Sequence, residues 1–319
     1  MTAPRPPATV SLDLDNQWAY MRVHGDAGWA EFPSYFDLAV PRILDVLARR
    51  RLRITVFVVG QDAALPGNRD ALAQISAAGH EIANHSFHHQ PSLAHQPIDD
   101  IDAEIARAED AIEHATGVRP RGFRGPGFSV STDLLRVLKR RGYAYDASTF
   151  PTFLGPLARA YYNATLTAPA GGEADRATLY GQWKDGFRRL KPYRWPLPEG
   201  PLLEIPVTTF PVLRVPFHLT YIHYLHTRSR RLALTYFRAA LATCRMLGVA
   251  PSVLLHPLDF LGGDDAPALG FFPGMNLRGL EKTALVADAL DLVAAHSSPI
   301  TMAEFAVVSS APFETPHQS

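Results

Sequence analysis

Short apolar runs of strand length alternate along this chain with longer stretches of helical period, and that alternation limits the fold more than any other feature. Thr9 to Leu14 reads as a strand, and Ser34 to Leu52 as a helix in which Pro41 marks a kink or a late start. Ile54 to Gly60 reads as a strand apolar on both faces. A short helix, RDALAQISAAG, ends at Gly79. Ile98 to Gly117 is amphipathic, with Ile101, Ile105, Ala108 and Ile112 on one stripe and its acids read as a solvated face. A helix over STDLLRVLKRRG, with Ser131 or Thr132 as N-cap, leads to a short strand at YAYDAS. The helix SRRLALTYFRAALATCRMLG, the strand PSVLLH, the helix LRGLEKTALVADALDLVAAH and a last strand near Ile300 continue the pattern. Strands joined through helices pair in parallel, so the chain predicts an α/β fold whose parallel sheet is a closed barrel or doubly wound.

The rhythm breaks between Pro151 and Pro216, where prolines, Gly171-Gly172 and aromatics follow no period. This region, about 150–216, reads as an insertion or long loops over one end of the domain, with a strand embedded at Leu202 to Val207. The whole chain of 319 residues is expected to be one catalytic domain, with a core over about 8–306 and a flexible tail over 307–319. Lys plus Arg and Asp plus Glu are equal at 31 each, so no overall field draws the chain to nucleic acid. The opening MTAPRPPATV has no apolar stretch of signal-peptide length, and no apolar run reaches the roughly 18 residues of a spanning helix, so the expected location is cytoplasmic. Cys244, the single cysteine, sits in a helical pattern and is read as a small buried apolar residue.

Two segments carry the chemistry. In SLDLDNQW a strand places Ser11, Asp13 and Asp15 on one face and Leu12 and Leu14 on the other, so two carboxylates stand side by side and call for a positive neighbour. HEIANHSFHH places His80, His85, His88 and His89 within ten positions; on a helical turn His85 and His89, four apart, would point to one side and grip a divalent metal. Both segments emerge where a strand ends, and in parallel α/β folds those ends converge on one face. Two imidazoles and one carboxylate make a catalytic type of metal site, with the second carboxylate free as a base. Arg124, in RGFRGPGF, sits among small residues that permit close backbone approach and can hold a carboxylate ionised. His256 ends an apolar strand, well placed as a general acid.

The ordered set DLD, HSFHH, FRGPGF and LLH resembles the polysaccharide deacetylase family, also called the NodB-like or carbohydrate esterase 4 group, over roughly Val10 to Phe305. The resemblance implies a distorted (β/α) barrel with fewer than eight strands. It also implies Asp13 as catalytic base, Asp15, His85 and His89 as ligands of one metal ion, Arg124 as the residue that orients Asp13, and His256 as general acid. Zn²⁺ is the expected metal, with Co²⁺, Mn²⁺, Ni²⁺ or Fe²⁺ as alternatives. The sequence departs from the family in having Asp-Leu-Asp for adjacent aspartates, which leaves open a swap of their roles, and Gly125-Pro126-Gly127 after the arginine. It also lacks an Asp-Trp motif to orient the general acid, for which Asp146, Glu204 and Asp259 are the candidates.

The implied reaction is removal of an N-acetyl group from an amino sugar or sugar conjugate, with a lipid- or nucleotide-linked substrate favoured by a cytoplasmic location. Alternatives are an allantoinase-like cyclic amide or ureide hydrolase and a non-catalytic carbohydrate-binding relative. Phe217 to Phe237 mixes aromatics, histidines and Arg228, Arg230 and Arg231 in a way suited either to peripheral contact at the inner membrane face or to a core helix with a basic outer side. FFPGMN, near Phe271, reads as a loop whose aromatics line the pocket. The oligomeric state is not legible.

Overall fold

β1 (Pro7–Leu14) pairs in parallel with β2 (Thr55–Val58) on one edge and β8 (Ser252–Leu255) on the other, and its first residues also pair in parallel with β9 (Ser298–Ile300). The computed structural model describes residues 5–157 and 183–309; 158–182, within the expected insertion, and the tail from 310 lie outside the described residues. From β2 the sheet continues through β3 (Glu81–Asn84), β4 (Gly122–Phe123), β5 (Tyr145–Asp146) and β7 (Leu202–Glu204), giving the order β7-β5-β4-β3-β2-β1-β8 in which every pairing is parallel. The strand expected over Leu202 to Val207 is thus present in its first half. A further strand, β6 (Tyr193–Trp195), lies antiparallel on β7 and was not anticipated, because only three residues alternate there.

These strands curl into the distorted barrel that the resemblance implied, with seven parallel staves. The gap between β7 and β8 is bridged just past β7, where Thr208 N donates to Ser252 O (3.1 Å) and Ser252 N to Thr208 Oγ1 (2.8 Å). Alternation along β1 holds as expected. Val10, Leu12 and Leu14 join the main core beneath the surrounding helices, whereas Ser11 and Asp13 turn inward.

Helix α2 (Phe36–Arg49) runs through Pro41 rather than starting late there. Its buried stripe of Phe36, Ala39, Val40, Ile43 and Leu47 outweighs the single hydrogen bond that proline removes. After α1 (Gln17–His24), α3 (Gly60–Ala64) and α4 (Arg69–Ala77), helix α5 (Ile98–Thr116) buries Ile101, Ile105, Ala108 and Ile112 as its period requires. Its acids are not all a solvated face: Glu104 and Glu109 lie on the buried stripe, and Arg119 and Arg141 pair with Glu109. Helix α6 (Thr132–Arg140) is capped by Ser131. The Phe217 to Phe237 segment forms α7 (Leu219–His226) and the start of α8 (Arg230–Met246), with Leu219, Ile222, Ala233 and Phe237 in the core; Cys244 is buried there too.

Past α9 (Gly279–His296), the chain ends its described part in a helix the period did not reveal, α10 (Met302–Val308). Met302 and Phe305 pack with Phe57, Tyr145 and Leu203 to close the floor of the barrel. Its start is fixed by a reciprocal cap: Glu304 N donates to Thr301 Oγ1 and Thr301 N to the Glu304 carboxylate.

Candidate metal centre and active site

Asp13 and Asp15 leave the C-terminal end of β1 into a loop that is clamped at several points. Tyr35 Oη donates to the Asp15 carbonyl, and the Asn16 side chain accepts the backbone N–H groups of Gln17 and Tyr35. Behind them Asp62 Oδ1 accepts from Asn16 Nδ2 (2.8 Å), Trp18 Nε1 (2.9 Å) and Asn68 Nδ2 (3.1 Å). Burial pushes the Asp62 carboxyl up to about 7, against the pull of those donors. Nothing in the local sequence marks Asp62, since all three of its donors come from elsewhere in the chain or from another loop.

His85 and His89 reach the same point by a loop, not by the helical turn their spacing invited. Ser86 and His89 adopt left-handed φ values of 61° and 54°, which folds the segment back on itself and brings the two rings to 5.0 Å. The loop is held from both sides. Glu104 accepts from Phe87 N (3.0 Å), His88 N (2.6 Å) and His88 Nδ1 (2.7 Å), while Arg22 donates to the carbonyls of His88 and His89. Glu104 was legible in part: an acid three residues from Ile101 and one from Ile105 falls on the apolar stripe, and a buried acid needs partners.

Arg124 is wholly buried inside the barrel, not a surface residue at a turn. Its Nη1 donates to Ser11 Oγ (2.9 Å) and to Asp13 Oδ1 (2.5 Å), its Nε to Ala147 O (2.9 Å), and the guanidinium lies 4.2 Å from the Phe57 ring centroid. The small residues around it have the expected purpose. A Cβ on Gly122 would stand 2.1 Å from the Tyr145 hydroxyl, and one on Gly125 would stand 2.1 Å from Ser129 O. The Arg124 carbonyl accepts from His85 Nδ1 (2.6 Å), which fixes the ring with Nε2 toward Asp15.

Asp15 Oδ1 stands 3.0 Å from His89 Nε2 and 3.4 Å from His85 Nε2, buried and without a well-formed hydrogen bond. Burial raises the Asp15 carboxyl, but His89 and His85 together hold it well below the usual carboxylate range. Burial lowers both imidazoles; Asp13 and Asp15 reverse this for His85, which is raised, and not for His89, which stays lowered. Two carboxylates against one guanidinium leave the pocket a negative charge in excess. That charge, the orphaned Asp15 oxygen and one ligand atom from each of Asp15, His85 and His89 within 4.8 Å of one another fit a divalent cation.

His256 stands across the cavity at the end of β8. Of the three acids considered as its partner, Asp259 is the neighbour: its carboxylate accepts the His256 backbone N–H (2.8 Å), and Thr220 Oγ1 lies 3.3 Å from Asp259 Oδ1 and 3.5 Å from His256 Nδ1. Burial raises the Asp259 carboxyl, with His256 pulling the other way. Asp146 and Glu204 are register partners on β5 and β7; their carboxylates accept from Ser148 and from Thr149 and Trp195, and neither has a hydrogen bond to His256 among the described residues.

Asp13, Asp15, His85, His89 and His256 all line one cavity of about 530 Å³. Its remaining walls are mostly apolar. Tyr20 packs edge-on to Phe272, Phe271 stacks on His24 at 3.6 Å, Phe128 stacks on Phe150, and Tyr221 and Tyr224 project from α7. The FFPGMN aromatics therefore do line the pocket, and so does His218, a buried imidazole that the sequence did not single out.

A seven-staved parallel barrel with a carboxylate and two histidines gathered at its C-terminal rim defines an α/β barrel with a candidate metal site. The sequence profile of the polysaccharide deacetylase family matches residues 26–145, a span that holds His85, His89 and Arg124. Over that span the chain resembles that family, the NodB-like or carbohydrate esterase 4 group. It is 33% identical over 111 residues to the peptidoglycan N-acetylmuramic acid deacetylase PdaA of Bacillus subtilis, covering 34% of this chain and 41% of that protein. It is 32% identical over 134 residues to a chitooligosaccharide deacetylase of a Bradyrhizobium species, covering 40% and 60%. The match thus spans about half the length of these relatives. The fold is shared along nearly the whole chain with two crystal structures of candidate polysaccharide deacetylases. That from Mycobacterium smegmatis has a TM-score of 0.60, 19% identity and coverage of 99% of each chain. That from Pseudomonas aeruginosa PAO1 has a TM-score of 0.63, 16% identity and coverage of 98% and 93%.

Proposed function

We propose that this chain is a metal-dependent hydrolytic deacylase that removes an N-acetyl group from an amino sugar or sugar conjugate. The reading rests on one observation: Asp13, fixed by Arg124, and the Asp15, His85 and His89 set face His256 across a single cavity. Asp15, His85 and His89 would hold a divalent cation, Zn²⁺ in this reading, which would supply Lewis acidity toward the acyl carbonyl and a water molecule. Arg124 occupies Asp13 Oδ1, which leaves Oδ2 toward the cavity to take the proton of the attacking water. Water adds to the carbonyl carbon, the carbon–nitrogen bond breaks, and the departing amine takes its proton from His256 while acetate leaves. Asp259, through Thr220 and the His256 backbone, orients that imidazole.

Among the described residues that line the cavity there is no lysine or arginine to meet a nucleotide diphosphate. The aromatic and aliphatic walls suit an apolar group on the substrate, which favours a lipid-linked sugar over a nucleotide-linked one.

The test is metal content of the wild type and of the His85→Ala/His89→Ala double variant, paired with acetate release from N-acetylated sugars supplied free, nucleotide-linked and lipid-linked. About one metal per chain, lost in the double variant together with acetate release, is the expected result. Metal without acetate from any of them would turn the search to other acyl groups and cyclic amides. Absence of metal after reconstitution would overturn the reading.

A further inference from the structure

Beside the cavity the surface carries large apolar side chains that the fold leaves in solvent. Phe153, Leu157, Trp183, Phe187, Val212 and Leu213 are 38%, 66%, 62%, 69%, 67% and 60% exposed. They come from three separate loops and are brought together by specific contacts. The Phe187 ring meets Phe153 edge-on at 5.0 Å and Trp183 at 5.5 Å. Arg214 Nη1 donates to Arg188 O (2.9 Å) and Thr152 Oγ1 to Arg214 O (2.8 Å), which sets the Val212-Leu213 turn against the other two loops. Leu154 and Leu157 are cavity walls, so the patch adjoins the apolar lining.

Its charge is one-sided. In a chain of zero net charge, the stretch Trp183 to Trp195 holds Lys184, Arg188, Arg189, Lys191 and Arg194 against the single acid Asp185, to which Arg188 is paired at 2.8 Å. Lys184, Arg189 and Lys191 are exposed. Tryptophan and phenylalanine beside lysine and arginine match a membrane surface, where aromatic rings settle at headgroup depth and cations meet anionic lipid. The Phe217 to Phe237 segment is a weaker match: its apolar side chains pack mainly into the core and Arg230 is ion-paired to Asp288.

We propose that this rim docks on an anionic lipid bilayer, with the cavity mouth beside the lipid. The proposal stands on the surface alone and does not need the deacylase reading to be correct. The experiment is co-sedimentation with vesicles of phosphatidylcholine alone and of phosphatidylcholine with phosphatidylglycerol, for the wild type, Trp183→Ser/Phe187→Ser/Val212→Ser/Leu213→Ser and Lys184→Glu/Arg189→Glu/Lys191→Glu. Wild type should partition onto the anionic vesicles and release with salt. Each variant should lose at least tenfold in partition, at unchanged turnover of a water-soluble acetylated sugar by any preparation that has such activity. The two variants change different residue types, so misfolding of one leaves the other as the test. No wild-type binding to anionic vesicles, or binding that both variants retain, overturns the proposal. So does a wild-type dimer that the apolar variant dissolves in sedimentation velocity without any vesicle binding, which would assign the patch to a second copy of the chain.

Discussion

The two sides of the cavity are built by different means. On the side of Asp13 and Asp15 short hydrogen bonds tie the scaffold to backbone or to buried partners, His85 to the Arg124 carbonyl, Arg124 to Ala147 O and the histidine loop to Glu104, and the atoms left open, Asp15 Oδ1 among them, face the candidate metal position. On the side of His256 the contacts are longer, 3.3–3.5 Å around Thr220, and several buried polar groups lack partners, His218 Nδ1 and both His223 nitrogens among them. Lys282, beneath this side, reaches the Met275 sulfur at 3.7 Å, and burial brings it down to about 8. Rings, rather than hydrogen bonds, fix that wall. In the proposed reading the first side is the preorganised reaction centre and the second the wall that meets the substrate.

Mutations should divide along the same line. The largest effect is expected for Asp13→Asn, which keeps the Arg124 contact but removes the base: turnover should fall by about 10²–10⁴ with metal content unchanged. A parallel loss of metal would instead make Asp13 a ligand and swap its role with Asp15. Next comes Arg124→Met, which strands Asp13 as a buried, unpaired carboxylate; a loss of about 3–5 kcal/mol in urea unfolding is expected. A loss under 1 kcal/mol would mean that the metal side is less rigid than its hydrogen bonds imply.

Asp62 gives the comparison a pH axis. Its folded value of about 7 lies above the usual 3.8, so between these pH values the folded chain keeps a proton that the unfolded chain releases, and stability falls as pH rises through that window. Each tenfold difference in proton affinity is worth about 1.4 kcal/mol. Asp62→Asn retains the oxygen that accepts the three donors, so it should flatten this decline, and its urea midpoint at pH 8 should match or exceed that of the wild type. An equal slope in both proteins would place the titration elsewhere. The smallest effect is expected on the other side, where Thr220→Val should lower kcat less than tenfold without altering metal content; a drop as large as that of Asp13→Asn would erase the distinction between the two sides.

How much of this was legible follows from distance along the chain. Period two in SLDLD placed Ser11, Asp13 and Asp15 on one face because strand geometry is local. The His85 and His89 pairing was right in partner and wrong in conformation: spacing cannot distinguish a helical turn from a loop with two left-handed residues. Arg124 gained its meaning from Ser11 and Asp13, more than a hundred positions away, and Asp62 from Asn16 and Trp18, and no pattern within one segment encodes either. α10 was legible and overlooked, since Thr301 and Glu304 are a capping box ahead of an apolar run.

That last helix also bears on how the molecule is made. Asp13, Asp15, His85, His89 and Arg124 belong to the first half of the chain, while the stopper that shields Phe57 and Tyr145 from below is among the final described residues. A polypeptide emerging from the ribosome therefore completes these candidate site residues while the barrel still lacks a bottom. Until Met302 and Phe305 arrive, Phe57 and Tyr145 lack that cover from below, an apolar surface open during synthesis.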